Sequence, residues 1–388
     1  MNVLRTPFKD LALHRYPPSA DRSLRAWDAA DELLLKHVHE HQNNGLPASA
    51  RVLICNDSHG ALACALHHVA PVSWSDSSLA HTALVKNWTA NSLSGQPTKL
   101  SSLSKPEGVF DLVLIKVPKS QALLEHQLAK LRPHLTEKTV VIAASLVRHL
   151  YRSAFTLFEK YLGAVTTSLA VKKARLVFCQ VDTKPTEHAS PFPDSYHDEQ
   201  LGMTLTNHAN VFCRDRLDIG ARVFISHTHQ LTQQMSDSLS NGARIIDLAC
   251  GNGVLGIHVQ RQQPGAQLTF IDESYMAVDS ARMNHQTLCG ENSPSGIFDV
   301  ANGLENCENN SADLILCNPP FHAQHAVAQD SAHEFIQQAA RVLAPHGALW
   351  LVANNHLPYK RVMNRHFKQC ATVANTSGFI VYSATHAV

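Results

Sequence analysis

The chain has 388 residues, long for one hydrophobic core, and the usual ~100–200 residues per domain predicts two domains. Its 33 Lys+Arg against 32 Asp+Glu give a formal net charge of +1, which excludes nucleic-acid binding by overall charge and leaves only local basic patches for such a role. No apolar run approaches the ~18 residues of a membrane helix, the start lacks the apolar core of a secretory signal, and nine cysteines without a Cys-x-x-Cys pair read as reduced thiols, so a cytoplasmic location is expected.

Residues 24–35 read as an amphipathic helix with apolar positions three to four apart. His37, His39 and His41 alternate in a helical context, where residues two apart face different ways, so no metal site is expected there. A strand at 51–55 follows, then the turn Asn56-Asp57-Ser58-His59-Gly60 and an alanine-rich helix at 61–69. Further strands at 72–76, 110–115 and 139–143, with a helix at 121–131, predict a parallel, doubly wound sheet.

Residues 182–200 carry Pro185, Pro191 and Pro193, three acids after Phe192 and no apolar period, which reads as a linker. The domains are accordingly set at 1–185 and 201–388, with the linker at 186–200. Beyond it, Leu217-Asp218-Ile219-Gly220-Ala221-Arg222 leads into a helix to about 239, and Arg244-Ile245-Ile246-Asp247-Leu248 is an apolar strand that enters a glycine turn. A helix starts near Val254, strands follow at 268–271, 296–300 and 313–317, and the last ends in Asn318-Pro319-Pro320-Phe321. A helix at 330–343, a strand at 348–352 and a helix at 358–370 complete this half; on the last helix Arg361, Arg365 and Lys368 at i, i+4, i+7 form a basic stripe, either a solvated face or a phosphate contact.

The two halves echo each other. Arg51-Val52-Leu53-Ile54 lies over Arg244-Ile245-Ile246-Asp247, Gly60 over Gly253, Asp76 over Asp272, and Asp111-Leu112-Val113-Leu114 over Asp313-Leu314-Ile315-Leu316, so the chain reads as a duplication. In the first copy Ile54 replaces Asp247, Ser58 replaces Gly251, and Lys116-Val117-Pro118-Lys119 replaces the Asn-Pro-Pro-Phe turn, so its chemistry is lost. It keeps a scaffold with lysines, including Lys172, Lys173 and Arg175, which are either a solvated strand end or a substrate contact.

Gly251-Asn252-Gly253-Val254-Leu255-Gly256 followed some 20 residues later by Asp272 fits a dinucleotide site. Asp247 decides against it, because a carboxylate there would face a pyrophosphate and cost Coulomb energy. A cation is favoured instead. S-adenosylmethionine carries an ammonium and a sulfonium, Gly251 and Gly253 let the backbone approach it, and Asp272 is placed to bind the ribose hydroxyls. Asn302, or Asp299, would meet the adenine edge. At the second turn, the Asn318 carboxamide oxygen and the Pro319 carbonyl can accept the two hydrogens of an aromatic amine, with Phe321 stacked on the ring and proline fixing the carbonyl direction. Aiming such an amine at a sulfonium methyl is an orientation effect, worth up to ~7–11 kcal/mol.

The motifs Asp-Leu-Ala-Cys-Gly-Asn-Gly from Asp247, Phe-Ile-Asp-Glu-Ser from Phe270 and Cys-Asn-Pro-Pro-Phe from Cys317 resemble the class I S-adenosylmethionine-dependent methyltransferases of the amino-methylating kind, and the Phe resembles the rRNA guanine-N2 enzymes. The segments 26–32, 115–119, 172–176, 208–212 and 217–222 resemble a two-domain subgroup of these enzymes, so the resemblance covers nearly the whole chain. It implies two tandem Rossmann-like methyltransferase-type domains with a degenerate N-terminal copy, an α/β fold closed by an antiparallel hairpin. It also implies S-adenosyl-L-methionine as cofactor and methylation of a guanine N2 in 23S rRNA. Asn318, Pro319 and Phe321 would carry the catalysis. Asp247, Gly251, Gly253, Asp272 and Asn302 would hold the cofactor, with Pro320, Phe212, Lys172, Lys173 and Arg175 on the substrate. Ala249 stands where glycine is commoner, harmless if its φ is negative, and Cys213 where serine is usual.

A monomer acting on protein-free or partly assembled 23S rRNA, without metal or membrane, is expected. The rivals are an adenine-N6 or protein-glutamine methyltransferase and a non-catalytic RNA-binding assembly factor.

Overall fold

Short strand and helix segments alternate along the chain and build two seven-stranded sheets of identical strand order. The structure is a computed structural model that describes residues 3–41, 46–182, 189–234, 242–290, 293–319, 325–357 and 359–387. The chain divides into two compact units, Met1–Phe192 and Pro193–Val388.

In the first unit a small antiparallel pair, β1 (Val3–Leu4) and β2 (Leu11–Ala12), precedes α1 (Ala29–His41). The sheet comprises β3 (Val52–Cys55), β4 (Val72–Ser75), β5 (Thr98–Ser101), β6 (Leu112–Lys116), β7 (Val140–Leu146), β8 (Val165–Thr167) and β9 (Ala174–Cys179), in the order β5-β4-β3-β6-β7-β9-β8. Its helices are α2 (Ala61–Ala65), α3 (Ser78–Ala90), α4 (Gln121–Leu131) and α5 (Arg152–Tyr161). The first five strands are parallel, but β9 runs antiparallel to β7 and β8, so the sheet is mixed rather than parallel throughout.

Several local expectations are corrected here. The first helix begins at Ala29, not residue 24, because the Asp28 carboxylate accepts the N–H groups of Ala30 and Asp31 at 2.8 and 3.3 Å and caps it there. The helix expected at 61–69 stops at Ala65 and continues as a 3-10 turn, His67–Val69. Helix α3 and strand β5 went unread; Ser77 caps α3 through Ala80 N–H, and β5 is a polar edge strand without apolar alternation.

The first copy also shows what replaced its chemistry. Both oxygens of the buried Asp57 carboxylate accept N–H groups at the start of α2, from Ala61, Leu62 and Ala63, each at 2.9 Å. Lys116, at the end of β6, places its ammonium 2.7 Å from both Asp28 and Asp31. Burial disfavours that charge, but Asp31 and Asp28 together hold its pKa above the ordinary lysine value. Lys116→Met leaves two acids facing each other at a largely buried place, which should cost about 3–5 kcal/mol. Three of the four tryptophans, Trp27, Trp74 and Trp88, lie in this unit, so a urea titration followed by fluorescence should show an earlier transition in the variant.

The second unit opens with a hairpin, β10 (Asp194–Asp198) and β11 (Met203–Asn207). Part of the expected linker is therefore a strand. Its polar sequence hides the alternation, which appears in the partner, where Met203, Leu205 and Asn207 are buried. The segment 183–188 at the linker's start lies outside the described residues. Two short helices follow, α6 (Ile219–Ile225) and α7 (Thr228–Gln234), where one was expected.

The main sheet comprises β12 (Arg244–Leu248), β13 (Gln267–Asp272), β14 (Ile297–Val300), β15 (Ala312–Cys317), β16 (Leu343–Asn354), β17 (Phe367–Asn375) and β18 (Phe379–Ala387), in the order β14-β13-β12-β15-β16-β18-β17. The last two strands form the antiparallel closing hairpin. Ile245, Leu314, Leu316, Trp350 and Val381 pack one face under α6, α8 (Val254–Gln262) and α9 (Tyr275–Leu288). Ile246, Leu248, Ile315, Cys317 and Leu349 pack the other under α10 (His325–Val342) and α11 (Tyr359–His366). Both faces are covered, as a doubly wound sheet requires. Helix α11 ends at His366 and Lys368 lies on β17, so Arg361, Arg365 and Lys368 share no helical stripe; pairing of Phe367 with Ala387 overrides the local helical period.

Candidate active site

Strand order reverses at β12, which is flanked by β13 and β15, and ligands of open α/β sheets bind outside the strand ends at such a switch point. Leu248 pairs with Cys317 in register, so the glycine turn after β12 and the Asn318-Pro319 turn after β15 leave the sheet side by side. Sequence positions some 70 apart are thereby made neighbours.

Asp247 is buried, and its Oδ2 accepts the Gly256 N–H at 2.8 Å. Burial, with Asp272 adding repulsion, pushes its carboxyl up to about 8 despite that hydrogen bond. The turn itself takes left-handed backbone at Ala249 (φ 55°), Gly251 (φ 54°) and Gly253 (φ 80°). The methyl at Ala249 therefore does not sit at negative φ, and the site retains a strain of about 1–2 kcal/mol relative to an ordinary backbone conformation. At Gly251 an added Cβ would meet no described atom within 4 Å, so the cradle is open above it. At Gly253 it would lie 3.0 Å from Ala281 and 3.1 Å from the Phe270 ring, so glycine there serves packing as well as φ.

Asp272 ends β13 with each carboxylate oxygen committed to one backbone donor, Oδ2 to Gly251 N–H and Oδ1 to Ser274 N–H, both at 3.0 Å. These hydrogen bonds orient the group. Asn302, just past β14, is buried, and its Nδ2 donates to Glu334 Oε1 of α10 at 3.3 Å.

At the second turn, Asn318 Nδ2 donates to Asp218 Oδ2 at 3.1 Å. The Asn318 Oδ1 is buried and has no hydrogen-bond partner among the described residues. Pro319 is buried. Pro320 and Phe321 lie outside the described residues. Phe212 is half-exposed, on the segment that leads through Cys213 to Asp218. Cys213 has φ 50°.

Lys172, Lys173 and Arg175 belong to the first unit. Lys172 and Lys173 form the left-handed turn (φ 47° and 65°) before β9, and Lys172 is paired with Glu32 at 2.7 Å. Lys173 is exposed, whereas Arg175 is half-buried with its Nε unpartnered among the described residues. The described residues hold no cluster of three metal-ligating side chains and no helix long and apolar enough to cross a membrane. Sequence reading missed Asp218 as a site residue, although the sequence carries a signal for it: Leu217-Asp218-Ile219 has a counterpart in Trp27-Asp28-Ala29 of the first copy.

A doubly wound sheet with a glycine turn beside an Asn-Pro turn at its switch point defines a class I methyltransferase. The family model "Methyltransferase small domain" matches residues 202–383, and "RLMG N-terminal domain" matches residues 1–183. The chain is 46% identical to ribosomal RNA large subunit methyltransferase G of Stutzerimonas stutzeri, over 98% of both chains. It is 44% identical to the protein of that name from Pseudomonas aeruginosa PAO1, over 99% of this chain and all of that one. The chain belongs to the ribosomal RNA large subunit methyltransferase G family. Among solved structures, the T. thermophilus 16S rRNA N2 G1207 methyltransferase (RsmC), in complex with AdoMet and guanosine, shares the fold over 99% of this chain and 97% of its own, with a TM-score of 0.75 at 20% identity.

Proposed function

We infer that this protein transfers a methyl group from S-adenosylmethionine to the exocyclic N2 amine of a guanine in 23S rRNA. The observation that carries the reading is the Asn318 carboxamide. Its donor end is held by Asp218, and its acceptor end has no described partner beside the glycine turn of the adjacent strand.

The residues fit the cofactor: Asp247 supplies a buried acid for a cation, the space above Gly251 admits a ligand, and Asp272 presents an oriented carboxylate to ribose hydroxyls. Asn302 would meet the adenine edge. When bound, S-adenosylmethionine supplies an electrophilic methyl on a sulfonium.

The protein's own part is to hold the amine. Asn318 Oδ1 and the Pro319 carbonyl accept its two N–H bonds, which localises nitrogen's lone pair away from the ring and directs it. No strong base is required, because the product ammonium is acidic and releases its proton readily. A paired guanine hides its N2 in the stack, so the base must be turned out and unpaired or protein-free RNA is the better substrate. Phe321 and Pro320 stack on that base, Phe212 flanks it, and Lys172, Lys173 and Arg175 of the first unit contact the RNA. The reading sets a monomeric enzyme in the cytoplasm, acting on free or partly assembled 23S rRNA.

The test is transfer of labelled methyl to protein-free 23S rRNA, 16S rRNA, assembled subunits and DNA, followed by nucleoside analysis. N2-methylguanosine in 23S rRNA is expected. N6-methyladenosine or labelled protein would replace the substrate, and no label despite cofactor binding would overturn the enzymatic reading in favour of an assembly factor.

A further inference from the structure

Asn318 has a second requirement, since a carboxamide can turn over and present its NH2 where its oxygen is needed. We propose that Asp218 is a positioning residue for the reaction, fixing the Asn318 carboxamide so that its oxygen faces the amine to be methylated. The proposal rests on the role given to Asn318 above.

The geometry is specific. Asp218 caps α6 through Oδ2, which accepts the Ala221 N–H at 2.9 Å, and the same oxygen accepts Asn318 Nδ2 at 3.1 Å. A carboxylate offers only acceptors, so Asn318 must turn its NH2 towards it, leaving Oδ1 directed away. Helix α6 is itself pinned over the sheet. Phe224 packs edge-to-face on Trp350 of β16 with ring centres 5.9 Å apart, and a Cβ on Gly220 would lie 3.0 Å from Asp218 Oδ2 and 3.1 Å from the Phe379 ring. The α6 start therefore cannot drift from the end of β15.

The first copy supplies an independent observation. Asp111 accepts the N–H of Arg51, just before β3, at 2.8 Å, and Asp313 that of Arg244, the first residue of β12, at 2.9 Å, which anchors the comparison of the two copies. Five residues beyond each stand Lys116 and Asn318. Asp28 caps α1 as Asp218 caps α6, and one Asp28 oxygen accepts both the Ala30 N–H and the Lys116 ammonium. The same link, from a helix-capping aspartate to the side chain at the end of the fourth strand, thus occurs in both copies. In the degenerate copy the side chain is a pure donor with no acceptor to offer an amine. In the second it is a carboxamide, which takes the same hydrogen bond and keeps an acceptor over.

The experiment compares Asp218→Ser, which can still cap α6 but is too short to hold Asn318, with Asp218→Asn, which keeps an acceptor oxygen. Each is measured for kcat, for the KM of S-adenosylmethionine, and for the side-chain amide signals of Asn318 in cofactor-free protein labelled with 15N-asparagine. Asp218→Ser should lower kcat about 10²-fold, leave that KM within about twofold, and shift the Asn318 amide signals to those of an unbonded carboxamide. Asp218→Asn should restore most of the rate. In an Asn318→Ala background, Asp218→Ser should cause no further loss in single-turnover transfer. Full activity of Asp218→Ser, or an equal loss added on top of Asn318→Ala, would overturn the proposal. Normal turnover by Asn318→Ala alone would instead sink the role of Asn318, and the amide signals, read without substrate, would still report whether Asp218 holds that side chain.

Discussion

Asn318→Ala should abolish methyl transfer, lowering kcat by about 10³-fold or more, while S-adenosylmethionine binds within about twofold of its parent affinity. The expectation follows from the division of labour between two adjacent turns. The residues assigned to the cofactor, Asp247, Gly251, Gly253, Asp272 and Asn302, lie near the ends of β12, β13 and β14 or just beyond them, whereas Asn318 directly follows β15. Removing its carboxamide deletes an acceptor for the amine and leaves the cofactor cradle untouched. Equilibrium binding by calorimetry and single-turnover transfer to 23S rRNA separate the two terms. A large loss of cofactor affinity would show that Asn318 belongs to the cradle instead.

Asp247→Asn should stabilise the cofactor-free protein and weaken cofactor binding about 10–100-fold, in line with losing one charged hydrogen bond. The Asp247 carboxyl is raised by burial from an ordinary 3.8 to about 8. Across that window the folded chain retains a proton that the unfolded chain has released. Stability is therefore fullest below the lower value, falls by about 1.4 kcal/mol per pH unit between the two, and levels off above the upper one. Asparagine does not titrate, so the variant lacks this slope. Urea titrations at about pH 5 and about pH 8 should show the variant gaining on the parent by on the order of 4 kcal/mol. Parallel profiles would mean that the acid is solvated or already paired. A cation held by the ionised form reverses the preference, so cofactor affinity of the parent should rise with pH towards 8.

Most of the fold was legible in sequence because apolar strands alternated with helices and because the chain repeats itself; the closing hairpin matched what the family resemblance implied. What escaped has identifiable causes. Strand β10 and edge strand β5 are polar, so periodicity could not reveal them, and only pairing with β11 and β4 defines them. Lys368 continued a helical period that the β17–β18 ladder overrode. Within the site, residue types at the two turns were read as a cofactor acid and an amine acceptor, but nothing next to it in sequence pointed to Asp218. Its importance arises only when α6 is folded across the sheet, 100 residues away from Asn318 in sequence. The left-handed backbone at Ala249 was likewise invisible, since alanine gives no sign of a positive φ.

The pairing of Leu248 with Cys317 starts the two turns from the same rung of one ladder. The separation of the two turns is then set by main-chain pairing, while the orientation of the Asn318 side chain depends on α6 through Asp218. The first copy keeps the same rung, Cys55 paired with Ile115, although its turns carry other residues, so the ruler is built into the fold whichever side chains are mounted on it.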